Sequence, residues 1–285
     1  MNRFDGDTAV VRLADSDSDP ASARPTGAVR SAAFEGRMDR GWWIQRGPNG
    51  GYVAAVLLRA LTDCVGDPAR HPRSLTVHYT APPAEGPVRI ETVLERAGRS
   101  LSTVSARMLQ GDRVLALALA AFSAPREHLE LHHARMPEVA PPESLPARPF
   151  SGDGPRPPMH GRYEQRWAIG EPPFSGAQEA LSGGWIRCSE PRVADALLVA
   201  AVTDAWPPAL FSTLQPESAI AAVPTVDLSV HFRVSLPLAS ARPDDWLLAV
   251  FRVREAREGF FEEDGEVWSR DGVLLAQSRQ LGVLL

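Results

Sequence analysis

Two stretches of this sequence repeat each other in order. Leu228-Ser229-Val230-His231-Phe232 matches Leu75-Thr76-Val77-His78-Tyr79, 153 positions earlier, and Leu274-Leu275-Ala276 matches Val114-Leu115-Ala116, 160 positions earlier. The change of offset requires seven extra residues between the two matches in the second half. Gly184-Trp185-Ile186 echoes Trp42-Trp43-Ile44. Each half also places an apolar helix ahead of its strands. A repeat of this kind means two copies of one supersecondary unit packed together, which limits what 285 residues can fold into far more than length does.

The first copy reads as one helix and a run of strands. Phe34 to Met38 leads into a strand and turn at Gly41-Trp42-Trp43-Ile44. From Tyr52 to Thr62, Val53, Val56, Leu57, Ala60 and Leu61 recur at helical spacing, with Asn49 as N-cap. Arg73–Tyr79, Val88–Arg96, Ser100–Leu109 and Arg113–Phe122 read as strands, with turns at Gly98 and Gly111-Asp112. The second copy has a helix over Arg192 to Ala205 and strands at Thr225–Phe232 and Leu274–Gly282, with a hairpin turn at Asp271-Gly272. The domain reading is an acidic flexible arm over 1–30, a first unit over 31–124, a Pro-rich linker over 125–175 and a second unit over 176–285. Eleven prolines between Pro125 and Pro173 mark the linker. Within it, His128 and His132 stand four apart beside His133. That spacing suits a metal pair or a solvated helix face, and no cysteine completes a metal set.

Charge and composition exclude several classes. A net charge of −5 argues against nucleic acid as a partner. The longest apolar run, Val114 to Phe122, is too short to cross a membrane. The N-terminus carries Asp5, Asp7, Asp15, Asp17 and Asp19 rather than an apolar signal core. Two cysteines, Cys64 and Cys188, cannot build a disulfide framework. The expectation is a cytoplasmic protein with reduced thiols.

Several motifs carry a resemblance to a known family. Asn49-Gly50-Gly51-Tyr52 resembles the Gly-Gly helix start of bacterial acyl-CoA thioesterases of the TesB type, within the double hotdog superfamily. Gly98-Arg99-Ser100-Leu101-Ser102 with Gln110-Gly111 resembles that family's first strand pair. Val226-Asp227-Leu228-Ser229-Val230-His231-Phe232 resembles its catalytic Asp strand, and Asp245-Trp246-Leu247-Leu248 the start of the next. Trp268-Ser269-Arg270-Asp271-Gly272-Val273-Leu274 and Ala276-Gln277-Ser278-Arg279-Gln280 resemble its C-terminal hairpin. The likeness covers about residues 30–123 and 180–285. It implies an α+β double hotdog: two antiparallel sheets, each wrapped around a central helix, joined by the Pro-rich linker. It implies hydrolysis of acyl-CoA or acyl-carrier thioesters, with lipid metabolism as the setting, no cofactor, no metal, and a homodimer or higher homo-oligomer.

In that family an Asp, a Gln and a Ser or Thr position the water. By position, Asp227 and Gln280 match the first two. The hydroxyl position falls near Arg254, and no Ser or Thr lies between Ala241 and Trp268. The repeat supports the first pair independently, because Asp227 aligns with Ser74 and Gln280 with Ala120. A duplicated unit that keeps one of two equivalent sites has this asymmetry. The structural alternative is that both side chains are simply satisfied polar groups. In the catalytic reading Asp227 accepts the water proton and Gln280 holds the water. The backbone N–H groups of Gly51 and Tyr52 donate to the thioester oxygen at a helix N-terminus. Asn49, Gly50 and Ser278 line the substrate site, and Arg99 meets CoA phosphates. The rivals are a hotdog enoyl-thioester hydratase or dehydratase, and a non-catalytic acyl-thioester binding protein.

Overall fold

The computed structural model describes residues 2–14, 30–44, 46–147, 157–218, 220 and 222–285. Its strands are β1 (Val10–Arg12), β2 (Arg30–Met38), β3 (His71–Tyr79), β4 (Gly86–Ala97), β5 (Ser102–Gln110), β6 (Arg113–Ser123), β7 (Tyr163–Ile169), β8 (Leu181–Cys188), β9 (Thr225–Phe232), β10 (Leu247–Arg252), β11 (Ala256–Arg257), β12 (Phe260–Ser269) and β13 (Leu274–Val283). The helices are α1 (Arg3–Asp7), α2 (Gly50–Val65) and α3 (Ala196–Val202). The strand order is β1-β2-β4-β5-β6-β3-β9-β13-β12-β10-β8-β7, and β11 pairs with β12.

The two expected sheets are therefore one. β3 and β9, the strands that carry the repeated Leu-x-Val-His motif, pair antiparallel with each other, Ser74 opposite His231 and His78 opposite Asp227. Thr76 and Ser229, equivalent in the repeat, face each other across this seam with their hydroxyl oxygens 3.0 Å apart. The local twofold relation of the halves passes between them.

α2 is apolar nearly all round, and beyond Gly50 at its start only Arg59, Thr62 and Asp63 reach solvent to any degree. Such a helix needs cover on all sides. It lies against β2, β3, β4, β5 and β6 and packs on α3. Gly66, at φ +63°, ends it in the left-handed conformation. α3 is shorter than the expected Arg192–Ala205 helix. Asp195 captures the start by accepting from the Leu198 N–H at 3.0 Å, and Pro207-Pro208 bars extension beyond the Thr203 cap.

Three further expectations need correction. Part of the stretch read as a flexible arm is folded: Phe4 of α1 is buried against Trp42, and β1 extends the sheet edge beside β2. Residues 15–29 lie outside the described residues. Within the stretch read as linker, β7 joins the sheet, and Met136, Val139 and Leu145 cover a cluster of Trp185, Trp246, Leu248 and Trp268. Trp185 Nε1 donates to the Ala140 carbonyl there at 2.9 Å. His128, His132 and His133 lie on exposed chain with no helix, so their spacing gathers them on no common face. Among the described residues no helix is long and apolar enough to cross a membrane, and no three His, Cys, Asp or Glu side chains gather as a metal-ligand set.

Candidate active site

Besides the β3–β9 seam, the halves meet at the start of α2. Asn49, fully buried, caps the helix, its Oδ1 accepting from the Tyr52 N–H at 3.1 Å. Its Nδ2 reaches into the second half and donates to the Asp204 carbonyl at 2.5 Å and to Asp204 Oδ2 at 2.9 Å. The Gly51 N–H donates to the same Oδ2 at 3.0 Å. The Gly50 N–H and the Thr225 hydroxyl stand close enough to this carboxylate to favour its charged form. Asp204 thus caps the helix of the other half. Glycine at 51 is obligatory for steric reasons, since a Cβ there would sit 2.3 Å from the Ala201 carbonyl oxygen at the end of α3. Tyr79 closes the other side, its hydroxyl donating to the Gly50 carbonyl at 2.8 Å.

Asp204 reaches this place because α3 stops just before it. The Thr203 hydroxyl donates back to the Ala200 carbonyl at 2.7 Å, and the chain turns away ahead of Pro207. Burial pushes the Asp204 carboxyl up to about 6, against the lowering effect of the Gly51 and Gly50 N–H groups, the Asn49 amide and the Thr225 hydroxyl. It sits deep in the protein but keeps a face that solvent reaches, as do Thr225 and Gly50.

Gln280 stands beside this carboxylate on β13. Its Oε1 accepts from the Thr225 hydroxyl at 3.3 Å, and its Nε2 donates to Glu263 Oε1 at 2.7 Å. Glu263 Oε2 accepts from the Ala209 N–H at 2.5 Å. Burial pushes Glu263 up to about 7. The Ala209 N–H and the Gln280 amide oppose this, while the charges of Asp204 and Glu262 add to it. Asn49, Asp204, Thr225, Gln280 and Glu263 form one connected polar chain in an otherwise apolar interior.

Asp227 is not part of it. Against β13, Leu228 faces Gln280, Asp227 faces Leu281, and Thr225 faces Gly282, with an irregularity in register between Leu281 and Gly282. β9 thus uses one residue more than β13 over this interval, as a β-bulge does. Facing residues in a sheet point the same way. Leu228 and Gln280 point inward, Asp227 and Leu281 outward, and the bulge returns Thr225 to the side of Gln280. Asp227 instead shares the outer face with exposed His78 on β3. Among the described residues its carboxylate receives no hydrogen bond.

The other expectations divide. Gln280, Asn49, Gly50 and Gly51 come together. Ser278 lies two residues from Gln280 on the same inner face, its hydroxyl filling the space above Gly265. The Gly51 and Tyr52 N–H groups, expected as free donors, are both committed, one to Asp204 and one to Asn49. Arg99 lies in the β4–β5 turn, where Arg70 donates to its carbonyl at 3.2 Å. That turn sits near the far end of α2, about 24 Å from Asn49 for 16 residues of helix. Arg254 is exposed and ion-paired with Asp264, and the hydroxyl that stands against Gln280 is that of Thr225. Asp204, Thr225 and Glu263 are the residues the sequence reading missed. Asp204 had a signal, a Thr-Asp pair closing an apolar helix just before Trp206-Pro207-Pro208. Glu263 had one in its strand alternation with Phe261, Gly265 and Val267.

A family model described as the acyl-CoA thioesterase N-terminal domain matches residues 39–123, and the C-terminal domain of the same description matches residues 142–284. An uncharacterized Mycobacterium tuberculosis protein is 26% identical over 97% of both chains. A crystal structure of a conserved hot dog fold protein of unknown function from Alicyclobacillus acidocaldarius is 30% identical, covering 100% of this chain and 98% of that one, with a TM-score of 0.81. The acyl-CoA thioesterase II TesB2 of Mycobacterium marinum shares the fold at 20% identity, covering 99% of this chain and 98% of that one, with a TM-score of 0.73.

Proposed function

We propose that this chain, which belongs to the acyl-CoA thioesterase family, hydrolyses acyl-CoA thioesters with a water held by Asp204, Thr225 and Gln280. The observation that carries the reading is the meeting of these three side chains at the N-terminus of α2. A carboxyl at about 6 is mostly ionised at neutral pH and close enough to it to take a proton in the transition state. Gln280 cannot be a base. Its amide and the Thr225 hydroxyl orient the water so that one lone pair faces the thioester carbon.

The step balances without a cofactor. The water oxygen bonds to the thioester carbon while its proton passes to Asp204, and the carbonyl becomes an oxyanion. The C–S bond then breaks as the carbonyl reforms, and the departing thiolate takes the proton from Asp204. As the carboxylate is neutralised, negative charge moves to the oxyanion nearby. The positive end of α2, which favoured the first charge, then favours the second.

Thiol release from a panel of acyl-CoAs tests the reading. Wild type is expected to turn over at least one of them. Asp204→Asn is expected to lower kcat by roughly 10²–10⁴-fold, the usual worth of a general base, with Thr225→Val and Gln280→Ala also impaired. Asp227→Asn is expected to stay within about twofold of wild type, because no proton transfer uses it. Full activity in Asp204→Asn, or loss confined to Asp227→Asn, would overturn the assignment.

A further inference from the structure

We propose that Glu263 is a positioning residue that sets which way round the Gln280 carboxamide sits in the site. The proposal deepens the hydrolytic reading above and rests on it for its kinetic consequence, though not for its structural one.

Glu263 is 3% exposed and stands directly opposite Gln280 in the β12–β13 pairing. Both its oxygens are used. Oε2 takes the Ala209 N–H, and Oε1 takes the Gln280 amide N–H at 2.7 Å. No cationic side chain among the described residues pairs with it. Burying a carboxylate without a cation is costly, and the sequence offers no packing reason for it there, since Gln280 alone could be satisfied by neutral groups. What a carboxylate supplies is direction. An ionised carboxylate only accepts, so Gln280 must present its NH₂ to Glu263 and its oxygen to the Thr225 hydroxyl. Turned over, the amide would put a donor against the hydroxyl and an acceptor against a carboxylate oxygen.

The protonated acid reverses this. Oε2 must keep accepting from Ala209, so the proton falls on Oε1 and that atom becomes a donor toward Gln280. The amide then turns to accept it, and its NH₂ faces Thr225. The groups facing Glu263 are the Ala209 N–H from the turn before β9, Gln280 from β13, Asp204 from the end of α3, and Glu262 from its own strand. The two acids both favour protonation. The uncharged isostere Glu263→Gln mimics the protonated acid at every pH. In it the Ala209 N–H selects the oxygen of the introduced carboxamide and leaves the introduced NH₂ facing Gln280.

Two measurements decide the matter. In ¹⁵N–¹H spectra the Gln280 side-chain amide, identified by its loss in Gln280→Ala, should shift with a midpoint near 7 in wild type. In Glu263→Gln that step should vanish. An amide that does not move between pH 5.5 and 8.5 (a range of roughly one and a half units either side of neutrality), or that moves equally in the variant, overturns the proposal whatever the activity. In thiol-release assays Glu263→Gln should lower kcat roughly tenfold to a hundredfold, the scale set by a misplaced catalytic group, with KM within about twofold and without the step near 7 that Glu263 gives wild type. If wild type hydrolyses, Asp204→Asn does not, and Glu263→Gln keeps the wild-type kcat and pH profile, the positioning role fails and the thioesterase reading stands. If wild type releases no thiol, that reading fails and the amide titration alone judges Glu263.

Discussion

Asp204 carries a charge that its surroundings resist. Its folded value of about 6 lies above the ordinary value of 3.8, so the native state holds the proton more tightly than the unfolded chain does. By linkage the contribution of this group to stability improves as pH falls through 6 toward 4, and is least favourable above 6. Discounting for the face that solvent reaches, the ionised form costs on the order of 1–2 kcal/mol. Asp204→Asn, which keeps one acceptor for the Gly51 N–H, should therefore gain on wild type in melting temperature at pH 8, and the gain should shrink by pH 5. Melting curves at the two values check this, and a gain that does not change with pH would show that the carboxyl is not strained. The residue scale is also where sequence reading reached least. Gln280 was legible because it broke the repeat. Asp227 broke the repeat equally well but faces outward, one residue from inward Leu228, and it is a bulge beyond it that returns Thr225 to the side of Gln280. A strand sequence does not show where a bulge falls.

At the scale of elements, the starts of the helices matter more than their lengths. α2 and α3 touch where Gly51 lies under the Ala201 carbonyl, and that contact sets how far Asp204 lies from the helix end. Gly51→Ala inserts a methyl into this gap. It should cost about 1–3 kcal/mol, as overpacking does, and should lower kcat more than the stability loss explains, since Asp204 is pushed from the Gly51 N–H. Denaturant melts alongside kinetics separate the two effects. The segment from Met136 to Leu145 belongs to this scale too. It shields Trp185 and Trp268 on the outer face of the second half, and Trp185→Ala should cost about 3–5 kcal/mol and expose residues 125–147 to protease. Limited proteolysis that leaves the variant as resistant as wild type would remove that role. α2 and strands β3 to β6, β9 and β13 were legible from periodicity and turn residues, although the stretch from Gly41, read as a strand and turn, opens in a short 3-10 helix over Arg40–Trp42. β1 and β7 were not legible. The wrapping of the Pro-rich segment was not, because its apolar residues follow the contour of a partner surface and have no period of their own.

As a whole molecule, the chain is two similar halves whose strands join into one sheet through one strand pair. The repeat announced the halves but not their union, since edge-to-edge pairing of β3 and β9 depends on backbone groups common to every sequence. Because the sheet runs through the seam and α2 packs on α3, the two halves should unfold together. Tryptophan fluorescence and far-ultraviolet circular dichroism should give coincident urea transitions, and neither residues 1–124 nor 176–285 should fold when produced alone. Separated transitions would contradict this. The link between Asn49 and Asp204 has a last consequence. Acid and helix tip come from opposite sides of the seam, so any parting of the halves dismantles the chemistry before either hydrophobic interior is breached. Turnover is then a sensitive gauge of the join: under mild denaturant, catalysis should fade at or before the first loss of ellipticity, and never after it.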